Sequence, residues 1–270
     1  MRTIVWILIA GNLLFFGLIG ITMAEQRITI CGTGDSQDLL HSLAKAYEEI
    51  NPETSIVVPD SIGSGGGIKA TALGKCDMGR VARPIKRKEK KYGLNYKIFS
   101  KSPVVFVLHP SVTGISSLTT EQIIGIYEGK YTSWDQLGGP NQKIFPIGRE
   151  DGDSSRSVLN EKLSGFTDIK KPTAFIVYSS PEIKEIMMKH SFTIGYGTLS
   201  MFNKTGAKII SVNGISPSEK NVNNETYELT SNYGIVYKGE LNGLTKSFLD
   251  FLFTSDAIKI IRDNGAFPTR

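Results

Sequence analysis

Three stretches of this 270-residue chain gather residue types that hold anions. They are Gly32-Thr33-Gly34-Asp35-Ser36, Gly63-Ser64-Gly65-Gly66-Gly67 and Gly152-Asp153-Ser154-Ser155. Each follows a strand-like segment and precedes a run with helical apolar spacing, so each is expected to open a helix. Bare backbone at a helix start offers unpaired N–H groups and the positive end of the helix dipole, worth roughly 0.3–1 kcal/mol toward a negative charge at each terminus. The hydroxyls of Thr33, Ser36, Ser64, Ser154 and Ser155 add donors. Arg149 and Arg156 flank the third stretch with guanidinium forks suited to a tetrahedral oxyanion. Taken singly, Asp35, Ser36, Asp153 and Ser154 are also preferred helix N-caps, and glycine-rich loops also form plain turns. Three such loops together favour one anion cleft over three coincidental caps.

Competing chemistries fit poorly. A nucleotide P-loop needs Gly, four residues, then Gly-Lys and Ser or Thr. Here Ile68 separates Gly67 from Lys69, and Ala70 follows. His41, His109 and His190 are the only histidines, and none adjoins a Gly-x-Ser-x-Gly elbow, which argues against acyl transfer. No cluster has metal-ligand spacing, so neither a metal nor a cofactor is expected. A phosphoryl hydrolase using Asp153 or Ser154 as nucleophile would lack both a metal site and a general base, and the chain is read as a binder rather than an enzyme. Arg80 and Arg83 end a third strand, where alternation aims at most one of them at the cleft; an ion pair to an acid of the same lobe is the plainer role. The run Lys86 to Lys91, "KRKEKK", expected on a helix start, reads as a solvated face or, more sharply, as a docking patch for a membrane partner.

The elements that must position these loops follow from periodicity. "RITIC" is a strand, and Leu39, Leu40, Leu43, Ala44 and Tyr47 then recur at helical spacing. "SIVVPD" is a second strand, Gly63 to Gly67 turn into a helix expected to begin near Ile68, and "CDMGRVA" is a third strand. Strand and helix alternating in this order specify an α/β architecture with a mostly parallel sheet, which binds ligands beyond the carboxyl ends of its strands. Lys97 to His109, with Pro103 inside, is a long strand expected to pass between two lobes. A capping box at Thr119 to Gln122 opens a helix of the second lobe, and "KIFPIGRE" is a strand ending at Arg149. Tyr227 to Tyr237 returns to the first lobe, and Gly243 to Ile261 forms one or two closing helices. Lobe 1 is thus expected over residues 25–104 and 230–270, and lobe 2 over 105–229.

Residues 1–24 differ in kind. A short basic start, the apolar run Ile4 to Ile21 and the small residues near Ala24 read as a secretory signal cut before Glu25, and the run is also long enough for an uncleaved N-terminal anchor. Either places the protein outside the cytoplasm. The net charge of +5 falls to +4 without Arg2, a mild excess that gives nucleic-acid binding no support. Cys31 closes one strand and Cys76 opens another; export permits a disulfide, and whether the two pair is open at this level.

On these motifs the chain resembles the phosphate-binding proteins of ABC uptake systems, within the periplasmic-binding-protein superfamily. The resemblance runs from "GTGDSQDLLHSLAKAYEE" through "IGSGGGIKAT", "CDMGRVARPIKRKE", "LTTEQIIGIYEGKYTSWDQLGG" and "IGREDGDSSRSVLNEKL" to "FLDFLFTSDAIKII". It implies two lobes that close on inorganic phosphate and deliver it, as a monomer, to a membrane permease; held by an uncleaved anchor, the same fold would instead be an anion-sensing or accessory module that reports the ligand to a membrane partner. Thr33, Gly34, Asp35, Ser36, Ser64, Gly65, Gly66, Arg149, Gly152, Asp153, Ser154 and Ser155 would line the cleft. Three departures stand out. Gly152-Asp153-Ser154-Ser155 replaces the usual Gly-Ser-Gly-Thr, Ala82 stands where relatives carry Asp or Ser, and Gly34 stands where a hydroxyl is common. A protonated phosphate needs an acceptor, so that role is expected at Asp153 or Asp35; if both acids only cap helices, another oxyanion or a small organic anion is the ligand.

Overall fold

The computed structural model describes residues 26–169 and 172–269. The signal or anchor expected over residues 1–24 lies outside them. β1 (Gln26–Gly32) leads into α1 (Gln37–Ile50), and β2 (Thr54–Val57) into α2 (Gly63–Ala72). β3 (Met78–Val81) is followed by a 3-10 turn over Arg87–Tyr92 and by the 15-residue β4 (Leu94–Leu108). Next come β5 (Ser117–Leu118), α3 (Thr120–Glu128), β6 (Phe145–Arg149), α4 (Ser154–Lys162) and β7 (Phe175–Val177). α5 (Ser180–Lys189), β8 (Thr193–Thr198), α6 (Leu199–Phe202), β9 (Lys208–Val212) and α7 (Glu219–Asn223) precede the returning β10 (Thr230–Lys238). α8 (Gly243–Phe251), α9 (Ser255–Asp263) and β11 (Phe267–Pro268) close the chain.

The main strand order is β2-β1-β3-β10-β4-β8-β6-β7. β1 pairs in parallel with β2 and β3 at one end, and β6 in parallel with β7 and β8 at the other. β4 joins the halves: residues 94–103 pair antiparallel with β10, and 104–108 with β8. It accordingly serves two cores. Phe99 packs with α1, α8 and α9, where Tyr47 meets Phe248 and Phe251 edge to face, whereas Val104, Phe106 and Leu108 pack with Tyr127, Trp134 and Tyr196. Both cores are built as the periodicity dictates; all five apolar positions read on α1 are buried, and Thr119 and Gln122 form the expected capping box.

α2 corrects one expectation, since it begins at Gly63 rather than near Ile68. Its glycines are the first turn of the helix. Each costs about 1 kcal/mol of helix propensity relative to alanine, and close packing explains why they are kept. A Cβ on Gly67 would stand 2.7 Å from Gly32 Cα and 2.8 Å from Cys31 O, and one on Gly32 (φ +147°) would stand 1.9 Å from Arg80 O. The helix therefore crosses the ends of β1 and β3 backbone to backbone.

Cys31 and Cys76 form a disulfide with Cα atoms 6.0 Å apart, settling the question left open by sequence. It ties the strand ahead of the first glycine loop to the segment leading into β3. With the partners 45 positions apart in sequence, the chain-entropy relation gives a stabilisation of about 4 kcal/mol. The Cys31→Ser/Cys76→Ser variant is expected to unfold at clearly lower urea concentration; an unchanged midpoint would show that the bridge contributes nothing.

Candidate functional site

The ends of β1, β3 and β6 and the starts of α1, α2, α4 and α5 meet where the two halves of the molecule touch. Ser64 Oγ lies 3.0 Å from Ser154 Oγ and accepts from Ala82 N at 3.1 Å. Asp35 Oδ1 accepts from Ser180 Oγ at 2.7 Å, and the same hydroxyl accepts from Arg149 Nη1 at 3.1 Å. On the rim, Lys184 Nζ and Asp38 Oδ2 form an ion pair at 2.7 Å.

Arg149 is the centre of charge. It is 4% exposed, reaches Asp153 Oδ2 with Nη2 at 3.1 Å and Glu150 Oε2 with Nε at 3.1 Å, and its own N–H donates to Tyr196 OH at 2.9 Å. Burial alone would lower its pKa, but the carboxylates of Asp153, Asp35 and Glu150 outweigh that and hold it above the usual value. Arg156, the other flanking arginine, turns away. It braces the loop by donating to Arg149 O at 2.6 Å and pairing with exposed Asp151 at 3.0 Å.

The two expected acids part company. Asp153 caps α4, with Oδ1 accepting from Arg156 N at 2.8 Å and Oδ2 held by Arg149, so both oxygens are engaged. Asp35 uses Oδ1 for Ser180, while Oδ2 is buried with no hydrogen-bond partner among the described residues. Its backbone carbonyl is fixed by Tyr233 OH at 2.8 Å and Ser200 Oγ at 3.1 Å. Ser36, at the cap position of α1, makes no capping bond; its hydroxyl and that of Ser155 are likewise buried and without a partner among the described residues. Buried polar groups are nearly always paired, so unsatisfied oxygens at this junction point to a ligand that completes them.

The remaining expected residues have other surroundings. Thr33 accepts from Asp35 N at 3.3 Å, shaping its own loop. Gly34 leaves room for α5, since a Cβ there would be 2.8 Å from Ser180 Cβ. Gly65 is exposed, with its Cβ direction facing the Arg83–Glu89 pair, Gly66 is half-buried beside Ile62, and Gly152 is exposed on the turn before Asp153. Arg83 forms the same-lobe ion pair expected of it, to Glu89 at 2.8 Å. Arg80 is wholly buried and donates to Thr33 O at 2.8 Å, Pro59 O at 2.7 Å and Ile30 O, so it moulds the first loop and neither faces the cleft nor pairs with an acid.

Residues 22–256 match the family described as a PBP superfamily domain. The chain belongs to the PBP superfamily. The phosphate-binding protein PstS of Bacillus subtilis (strain 168) is 29% identical over 252 residues, covering 91% of this PBP-superfamily chain and 81% of that protein. A solved structure of a putative phosphate ABC transporter substrate-binding protein with bound phosphate, from Clostridium perfringens, is 27% identical with a TM-score of 0.82 over 91% of this chain and 100% of that one. An ABC-type phosphate transport receptor from Vibrio cholerae is 26% identical with a TM-score of 0.65, covering 89% and 99%. These likenesses bear out the resemblance carried by the motifs and the two-lobed α/β fold it implied.

Within this PBP-superfamily site, sequence reasoning missed Ser180. Its signal is Ser179-Ser180-Pro181-Glu182, in which Ser179 caps α5 and accepts from Glu182 N at 3.2 Å. That pattern announces a fourth helix start. Tyr233 and Ser200, which hold the Asp35 carbonyl, carried no local signal.

Burial, with the neighbouring Asp35 carboxylate adding to it, pushes Asp153 up to about 7 from an ordinary 3.8. A carboxyl raised on folding stabilises the fold fully below its unfolded pKa and loses that contribution as pH rises through its folded pKa. The stability of the wild type relative to Asp153→Asn is therefore expected to fall between about pH 4 and about pH 7, by about 1.4 kcal/mol per unit of separation at most. Parallel melting curves for the two proteins across that range would refute the assignment.

Proposed function

We propose that this chain captures inorganic phosphate between its two lobes outside the cytoplasm and hands it, as a monomer, to the permease of an ABC transporter. The observation that carries this reading is the junction itself. One buried arginine, two orphaned hydroxyls and one orphaned carboxylate oxygen are supplied from both halves of the molecule. A monohydrogen phosphate presents three acceptor oxygens and one donor. Arg149, Ser36 and Ser155, with the helix-start N–H groups of α2 and α4, suit the acceptors, and Asp35 Oδ2 suits the proton. Asp35 thereby takes the acceptor role that the resemblance implies for the position of Ala82, and Asp153 keeps the third loop and Arg149 in place. Donors from both lobes meet the anion only in the closed form, so binding shifts the population toward closure. The proposed activity is capture without turnover. The proposed lobe limits are 25–104 with 230–270, and 105–229. Export by the segment over residues 1–24 belongs to the same proposal; among the described residues no helix is long and apolar enough to cross a membrane.

Calorimetric titration with phosphate, with sulfate, molybdate and tungstate as competitors, tests the reading. Tight phosphate binding with sulfate excluded is expected. Failure to bind phosphate would overturn it.

A further inference from the structure

The segment Lys86 to Lys91 plays no part in the site described above, yet it holds five cations and one acid in a chain whose net charge is +5. Nearly all of the excess charge thus sits on one turn, and the rest of the chain is close to neutral. That turn is not a loose arm. Its single acid, Glu89, is buried, accepts from Arg83 Nη1 and Nη2 at 2.8 Å each, and accepts from Lys86 N at 2.8 Å. Ile85 and Tyr92, at its two ends, pack against Ile68, Val81 and Val236. Ile68 lies on α2, whose first turn carries Ser64. Arg87, Lys88, Lys90 and Lys91 are left exposed, and among the described residues none of them is in an ion pair.

The placement matters because the site itself carries no excess of positive charge. Asp35, Glu150, Asp151 and Asp153 stand against Arg149 and Arg156, with Arg80 beneath the first loop, so the mouth alone offers an incoming anion no net attraction. Lys86 follows four residues after Ala82, whose N–H donates to Ser64. Four residues span at most about 14 Å. The cationic turn therefore starts within about two screening lengths of the site at physiological salt, and well within one in dilute buffer.

We infer that the Lys86–Lys91 turn is an electrostatic guide that draws a doubly charged oxyanion into the cleft, speeding association without touching the bound ligand. The inference rests on the reading of the site as a phosphate receptor. A guide of this kind acts on the association rate and fades with salt, whereas contacts within the complex act on dissociation. It differs from a solvated face in requiring the charge at this place rather than merely on the surface.

Rapid-mixing kinetics of phosphate binding would be measured for the wild type and for Arg87→Gln/Lys88→Gln/Lys90→Gln/Lys91→Gln. A control with Lys45, Lys162, Lys220 and Lys259 changed to Gln loses the same charge elsewhere on the exposed surface. In about 10 mM salt, where the screening length is roughly 30 Å, the turn variant is expected to associate about tenfold more slowly. Its dissociation rate stays unchanged, the control keeps wild-type rates, and all three proteins converge in about 1 M salt. An unchanged association rate in the turn variant, or an equal slowing in the control, overturns the guide while leaving the receptor reading intact. Absence of phosphate binding by the wild type would overturn both.

Discussion

Arg149→Ala is expected to lose phosphate affinity by about 30- to 5,000-fold, the equivalent of the roughly 2–5 kcal/mol set by truncating one partner of a buried, hydrogen-bonded charge pair. The loss has two sources. The ligand forfeits its one guanidinium donor, and Asp35, Glu150 and Asp153 lose the cation that offsets them, so the pocket turns repulsive toward any anion. Arg149→Lys restores a charge but not the planar fork that spans Glu150, Asp153 and Ser180 at once, so it should recover only part of the affinity. Calorimetry alongside thermal unfolding separates binding from folding. A folded Arg149→Ala protein with wild-type affinity would remove this residue from the site.

Arg149 was legible because a single segment carries its signal: a strand ending in arginine, followed by a glycine turn and a helix start. The stripe on α1, the capping box at Thr119 and the long crossing strand β4 were legible for the same reason, since each is written in residues close in sequence. What sequence left undetermined depends on contacts between distant segments. Asp35 and Asp153 look alike as Asp-Ser pairs near helix starts, yet one spends both oxygens on Arg149 and its own cap while the other keeps one free; only the approach of α5 across the junction separates them. Ser180 and Tyr233 reach Asp35 from 145 and 198 residues away. The early start of α2 was hidden because four glycines argue against helix by propensity. What overrides propensity is the close crossing of β1, a tertiary fact.

Asp35→Asn should erase most of the preference for phosphate over sulfate. In the wild type, sulfate brings a fully deprotonated oxygen to a carboxylate. At 4 Å and an effective dielectric near 20 that repulsion is about 4 kcal/mol, a ceiling of about 1,000-fold in discrimination. Phosphate avoids it by donating its proton. An asparagine amide at position 35 can donate to either anion, so sulfate gains affinity, phosphate loses its acceptor, and the ratio of the two constants collapses. Asp153→Asn is the matched control, because asparagine caps a helix as well as aspartate does; in mildly alkaline buffer, where both free anions are mainly doubly charged, it should shift both affinities together and leave their ratio alone. Acidification of the wild type should imitate the Asp35 variant. Burial raises the Asp35 pKa, although Arg149 and the Ser180 hydrogen bond pull it back. As pH falls through that raised value the carboxyl becomes a donor and ceases to repel sulfate. Competition titrations over pH for the three proteins decide the matter: a ratio that survives in Asp35→Asn but collapses in Asp153→Asn would move the acceptor to the third loop.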